Sequence, residues 1–575
     1  MGCGPAAPTP TAPSAEGGSP ELPRAEGKLE IVRPEPAGSA KPTLVLQVLE
    51  SELERAMGEL GKQATPPYFL AYGAHDTDRG HVEASDGFLI SNESQRGRTL
   101  DVEVRVGSPE LDNTHELVAS PFLGLSELPI EDDLLALKIP IWLATEHAYR
   151  QAKEGLIQAR AQKTVNAAEE DRSADFSAAK PSLYLERPQK LAWDSKLWET
   201  RVRKLSAAFN RHPEIETSYV RATAAADTNY LVNSEGSRIQ NNQISASVAF
   251  GGAITAEDGS SLSRDWQVYT HSIADLPGES ELVRQIDTLI NELLALHAAP
   301  RGDPYIGPAI VDGRAAAVLF HEVLGHRAEG HRQKMDWEGK TFKKKVGEPI
   351  MPRGFSVEDD PLIERLNGEP LNGVYQYDDQ GVPARAVTVV EDGTFKEFLM
   401  SRSPIEGFGS SNGHGRRQAG FRAVSRQGNL MVRPAQMTDP EALKQALLRE
   451  VERQKLPFGI RVRDVTGGET QTSAFDPQAF QVRLVLVFRV YPDGREELIR
   501  NVKLEGTPLS LLSNVVAASN DFAVFNGFCG AESGSVPVSA ISPSLLVSKI
   551  ELAKTPKGMD RPPLLPPPAR SDAEP

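Results

Sequence analysis

A chain of 575 residues has room for roughly two to four domains, and 39% apolar side chains supply ordinary buried cores. Its 79 acidic against 63 basic residues give a formal charge of −16, which argues against a nucleic-acid partner, because duplex binding draws most of its affinity from Lys and Arg on phosphate. No stretch approaches the roughly 18 apolar residues of a transmembrane helix, and two cysteines, Cys3 and Cys529, cannot build a disulfide framework.

In chain order, residues 1–42 are rich in Pro, Ala, Ser and Glu and are expected to form a disordered tail. Two cysteines far apart fit a reducing cytoplasm, the expected location, and Ala6 breaks the myristoylation pattern. Lipid anchoring at Cys3 is the alternative if a signal peptide lies upstream. Thr43 then caps a helix bearing Leu46, Leu49, Leu53, Met57 and Leu60 at helical spacing. Short strands are expected at Tyr68–Tyr72, Phe88–Ser91 and Leu100–Val106, a helix at Leu134–Val165, and a charged surface segment at Ala167–Lys180. Further strands are read at Tyr219–Ala224, Thr228–Val232 and Ile244–Phe250. A helix from Ser280 to Ala298 carries Leu282, Ile286, Leu289, Leu293 and Leu296 on one side and ends before Pro300. A domain boundary is placed there.

The second domain opens with an apolar, alanine-rich helix, Gly313–Leu324. Asp392-Gly393 and Asp493-Gly494, each between apolar runs, signal hairpins, and Asp439-Pro440 starts a helix bearing Leu443, Leu447 and Val451. The expected fold is α+β: two mixed domains, 43–300 and 301–555, each a largely antiparallel sheet with packed helices, followed by a Pro-rich tail, 556–575.

The chemistry concentrates in His321-Glu322-Val323-Leu324-Gly325-His326. Neutral imidazole is a good zinc ligand, and a carboxylate beside a metal can take a proton from water attacking a carbonyl. The spacing is H-E-x-x-x-H, one longer than the i,i+4 pattern whose histidines share a helix face. At about 100° per residue, positions five apart sit roughly 140° apart on a regular helix. The helix must therefore end or bulge between the two rings, and Gly325 is the expected place, as a left-handed closure or a π-type bulge. Zinc needs a third ligand. Cys529, flanked by glycines in Asn526-Gly527-Phe528-Cys529-Gly530, is one candidate, and Glu329, His331 and Asp336 are nearer ones.

Beyond that helix, Tyr377-Asp378-Asp379-Gln380-Gly381-Val382-Pro383, Glu391-Asp392-Gly393, Asn412-Gly413-His414-Gly415-Arg416-Arg417, Gly467-Gly468 and Cys529-Gly530-Ala531-Glu532-Ser533-Gly534-Ser535-Val536-Pro537 follow in an order that resembles the TldD/PmbA family, the modulators of DNA gyrase. The resemblance runs from about Asp312 to about Val547. It implies a zinc peptidase holding one ion per chain on His321, His326 and Cys529, with Glu322 as base. It also implies peptide or unfolded-protein substrates, and a homodimer or a heterodimer with a PmbA-like paralogue. His331 stands where the family usually has aspartate. Gly413, Arg416 and Arg417 are candidates for the substrate-binding wall, the arginines for pairing a carboxylate. The rival is a non-catalytic peptide-binding or partner subunit, against which the retention of Glu322 argues. A closed structural zinc site with His331 as fourth ligand is a third reading.

Overall fold

The computed structural model describes residues 24, 29–34, 40–115, 121–165, 171–334, 338–473, 480–556, 558–563 and 565. It is an α+β fold of mostly antiparallel sheets. Thr43 caps the helix Leu44–Leu60 through its side chain, and Glu279–Ala298 buries Leu282, Ile286, Leu289, Leu293 and Leu296.

In the first half, Phe88–Ser108, Pro67–Ser85, Thr217–Asn233, Arg238–Thr255 and Ser261–Thr270 lie side by side in an antiparallel sheet. The long strands carry two cores. Tyr72 and Ala74 pack with Val102 of the neighbouring strand and with Leu46, Leu49, Leu137 and Ile141 of the helices Leu44–Leu60 and Leu134–Val165. Ten residues on, Val82 and Ala84 pack with Trp198, Phe250, Ile286 and Leu293 under the helices Ser195–Ser206 and Glu279–Ala298. All four strand residues share one parity and so face one side of the sheet.

The strands expected to be short are therefore fragments of long ones. Polar residues 76–81 stay extended because their backbones pair on both sides, with Phe88–Ser108 and with Thr217–Asn233. Cross-strand contacts support them: Arg98 donates to Asp76 at 2.6 Å and Thr77 to Asp227 at 2.7 Å.

Two further expectations change. Within the expected tail, Ile31–Val32 forms a strand against Arg365–Leu366, with Leu29 and Ile31 packed on Leu366, Leu371 and Ile541. The rest of that expectation falls largely on residues 1–23, 25–28 and 35–39, outside the described set, as do 557, 564 and 566–575 of the C-terminal tail. Of the expected surface segment, 167–170 lie outside the described residues, but the part that follows is packed between the halves. Phe176 is buried, with the guanidinium carbons of Arg105 and Arg402 3.8 and 4.0 Å from its ring centre, and cation–π contact holds it there.

In the second half, Tyr305–Val311 pairs with Gly459–Thr470 on one side and with Leu545–Lys554 on the other, so this sheet closes on itself through Phe480–Val490 and Val502–Gly506. A second sheet of six strands ends in Asn429–Pro434, Gly534–Ser542 and Ala523–Ala531, the last at its edge. The Asp392-Gly393 hairpin forms as expected, with φ of 45° and 80° at the two residues. Helix Gly313–Phe320 lies between the closed sheet and the edge strand Ala523–Ala531.

Trp198, stacked on Trp193 with ring centres 5.6 Å apart, closes the second N-terminal core. Its replacement by alanine is expected to cost about 3–5 kcal/mol, as for other large buried aromatics. Urea unfolding checks this, and a change below about 1 kcal/mol would show that the core does not depend on that ring.

Candidate metal centre

The small side chains of Gly313–Phe320, with Ala315, Ala316 and Ala317 all buried, let this helix pass close to the strands on either side. After Phe320 the α-helix gives way to a single π turn, His321–Gly325, in which the His326 N–H donates to the His321 carbonyl five residues back. Of the two distortions the spacing allowed, the bulge is the one present. Glycine fits there as the chain stands, because a Cβ on Gly325 would stand 1.8 Å from Gln427 Oε1 and would displace that side-chain amide. Gln427 in turn reaches the His321 carbonyl at 3.4 Å.

Cys529 comes from the edge strand, opposite Val536. Its Sγ lies 3.2 Å from His321 Nε2 and 3.2 Å from His326 Nε2, and the two rings meet at 82° with centres 4.8 Å apart. All three potential ligand atoms lie within 4.8 Å of one another, and this is the group of His, Cys, Asp or Glu that converges so among the described residues. A tetrahedral zinc ion, about 2.1 Å from nitrogen and about 2.3 Å from sulfur, holds such atoms roughly 3.5 Å apart. The donor set and its spacing fit that ion.

The surroundings polarise the donors. Burial alone would push the Cys529 thiol up, but the imidazoles of His326 and His321 hold it well below the usual range. Burial would lower His326, and the sulfur and Glu329 instead raise it well above the usual range. In the metal-free chain this describes a thiolate beside an imidazolium, and a dication would take the place of that proton.

Glu322 projects into the same space, with Oε2 3.9 Å from His326 Nε2. It lies against the backbone of Gly468, where a Cβ would stand 2.4 Å from Glu322 Cγ. The four residues line a cleft of about 450 Å³ whose other walls are residues 466–472, the edge-strand residues Phe525 and Phe528, and Glu532 in the turn after that strand. Arg327, pushed down to about 10 by burial, spans the base by donating to the Glu322 carbonyl at 2.9 Å and to Thr470 Oγ1 at 2.5 Å.

The other ligand candidates fall elsewhere. Glu329, the extended residue that ends the turn His326–Ala328, sits behind His326, accepting from Nδ1 at 3.2 Å. His331 is buried facing Glu532, its Nε2 3.6 Å from that carboxylate, and does not join the donor group. Asp336 lies outside the described residues.

The residues expected for the substrate wall sit apart from this cleft. Gly413, Arg416 and Arg417 do not line the cleft. Gly413 takes φ 82° with Pro383 O 2.3 Å from any Cβ, Arg416 donates to Gln427 O at 2.6 Å beneath the Tyr375 ring, and Arg417 pairs with Asp101 of the first half at 2.7 Å. Buried guanidiniums need such partners, and these two spend their donors inside the protein. Gly468 belongs to a motif the resemblance had marked, but the sequence carried no sign of Gln427 or Arg426, which reach the His321 and Cys529 carbonyls from a distant segment.

Comparison with known proteins follows the same region. Residues 305–554 match the family described as PmbA/TldA metallopeptidase C-terminal domain. A metalloprotease of Methanothermobacter thermautotrophicus is 28% identical over 327 residues, 55% of this chain and 65% of its own length. A zinc metalloprotease TldD homolog of Saccharolobus solfataricus is 25% identical over 267 residues, 46% of this chain and 54% of its own. The chain thus spans between half and two-thirds of the length of these relatives. The solved structure of TldE from Thermococcus kodakarensis superposes with a TM-score of 0.59 at 15% identity, covering 88% of this chain and all of that one, a likeness of fold.

Metal uptake separates the open from the closed arrangement. Cys529→Ala is expected to lose the bound equivalent of zinc and His331→Ala to keep it, as read by metal analysis after dialysis. Loss in His331→Ala would favour the closed site.

Proposed function

Because this chain belongs to the PmbA/TldD family, we propose that it is a zinc-dependent peptidase acting on peptides or unfolded protein segments. The observation that carries the reading is the convergence of His321, His326 and Cys529 at the base of a cleft that Glu322 also lines. A purely structural zinc site has no use for that carboxylate.

When bound by the two Nε2 atoms and the thiolate, zinc supplies Lewis-acid polarisation of a water and of the peptide carbonyl. Glu322 takes the proton of the water as its oxygen bonds to the carbonyl carbon, then gives it to the nitrogen as the C–N bond breaks. Gly468 leaves room for the glutamate against the strand backbone, so the base approaches from a fixed side. The edge strand bearing Cys529 offers backbone groups to an extended peptide, which can add to the sheet as a further strand alongside the cleft. A cleft of about 450 Å³ suits an extended segment and not a folded domain.

The test is digestion of an unstructured peptide by the zinc-loaded protein. Glu322→Gln is expected to keep its zinc and lose about 10²- to 10⁴-fold in kcat/KM, the usual contribution of a positioned base. Turnover that survives the substitution would remove Glu322 from the chemistry.

A further inference from the structure

We infer that Glu329 is the positioning residue of the metal centre: its carboxylate, gripped by Arg332 and Arg426, fixes the His326 ring so that Nε2 points at Cys529. The inference rests on the metallopeptidase reading above.

The geometry starts from the ring itself. His326 is bridged end to end, its Nδ1 3.2 Å from Glu329 Oε2 and its Nε2 3.2 Å from Cys529 Sγ. An imidazole that gives Nε2 to a cation must carry its proton on Nδ1, and a carboxylate facing Nδ1 accepts from that tautomer alone. The contact therefore selects both the tautomer and the rotation of the ring.

Glu329 can orient a neighbour because it is itself immobile. Its side chain has no exposure to solvent. Arg332 Nε donates to Oε2 at 3.0 Å, and Arg426 Nε lies 3.5 Å from Oε1. Its backbone is pinned on both sides: Leu399 N–H donates to the Ala328 carbonyl at 2.9 Å, and Gly330 N–H donates to the Leu399 carbonyl at 2.8 Å. Glycine at 330 favours that approach, since a Cβ would stand 3.0 Å from the Leu399 carbonyl oxygen.

The two arginines also reach the segment that carries the sulfur. Arg426 donates to the Cys529 carbonyl at 2.5 Å and to Ser533 Oγ and the Gly534 carbonyl at 3.0 Å each. Arg332 grips Glu532 with two donors, at 2.6 and 3.0 Å. One buried carboxylate and two guanidiniums thus tie the histidine turn to the Cys529 hairpin. Buried ion clusters of this kind add little net stability. What this one supplies is registry between ligands that arrive from opposite ends of the second half.

The experiment loads full-length wild type, Glu329→Gln and Glu329→Asp with zinc in competition with a chelator, and with cobalt(II) for visible spectra. Glu329→Gln removes the anion facing Nδ1. Glu329→Asp keeps a charge for the arginines but withdraws the carboxylate from the ring. Both are expected to bind zinc about 10- to 100-fold more weakly, the usual effect of losing such a partner, and to shift the cobalt bands. Circular dichroism of the metal-free proteins separates this from misfolding, and if Glu329→Gln does not fold, Glu329→Asp decides alone. Wild-type zinc affinity and cobalt spectrum in a folded variant overturn the inference and leave the peptidase reading standing. A wild type that takes up no zinc overturns both.

Discussion

Two side chains five positions apart on a regular helix point roughly 140° away from each other, and the whole centre depends on how the chain escapes that constraint. It does so in one turn. At His321–Gly325 the backbone closes an i→i+5 hydrogen bond, which inserts the extra residue and swings His326 back beside His321. Its surroundings support the turn: the Gln427 amide fills the space beside Gly325, and Leu399 pins the backbone at Ala328 and Gly330, a few residues on. A short helix of small buried residues then sets the turn between a glycine-bearing strand and the free edge of a second sheet.

Around this turn charges alternate in sign. The thiolate of Cys529 faces His326, which faces Glu329, which faces Arg332 and Arg426, and Arg332 faces Glu338 and Glu532 in turn. Arg332 and Arg426 pull the Glu329 carboxyl down against the effect of its own burial, as His326 does. Removing groups like these from water is costly, and mutual compensation is the condition on which they stay ionised. The result is a rigid frame with one open side, where Glu322 waits on the cleft wall. Rigidity of this sort would suit the proposed centre, which has to place a base, a cation and a peptide within hydrogen-bond reach of each other.

Much of this was legible in the sequence wherever one local rule dominated. The H-E-x-x-x-H spacing demanded a broken helix and pointed to Gly325. Apolar periodicity located the helices Leu44–Leu60 and Glu279–Ala298, and Asp392-Gly393 located its hairpin. What was hidden depended on distant partners. Polar residues 76–81 do not read as strand, because their extension is enforced by neighbours at 93–98 and 223–228. The packed segment around Phe176 reads as surface until Arg105 and Arg402 are seen against its ring. Arg416 and Arg417 read as free cations for a substrate, yet Gln427 and Asp101 already hold them. Arg426 joins Glu329 to Cys529 across roughly a hundred residues on either side, and no short motif encodes such a link.

X-ray absorption at the zinc edge of the loaded protein tests the donor set most directly. The account predicts one sulfur at about 2.3 Å and two imidazole nitrogens at about 2.0–2.1 Å, with a lighter oxygen completing four ligands. A shell of nitrogen and oxygen with no sulfur would contradict it.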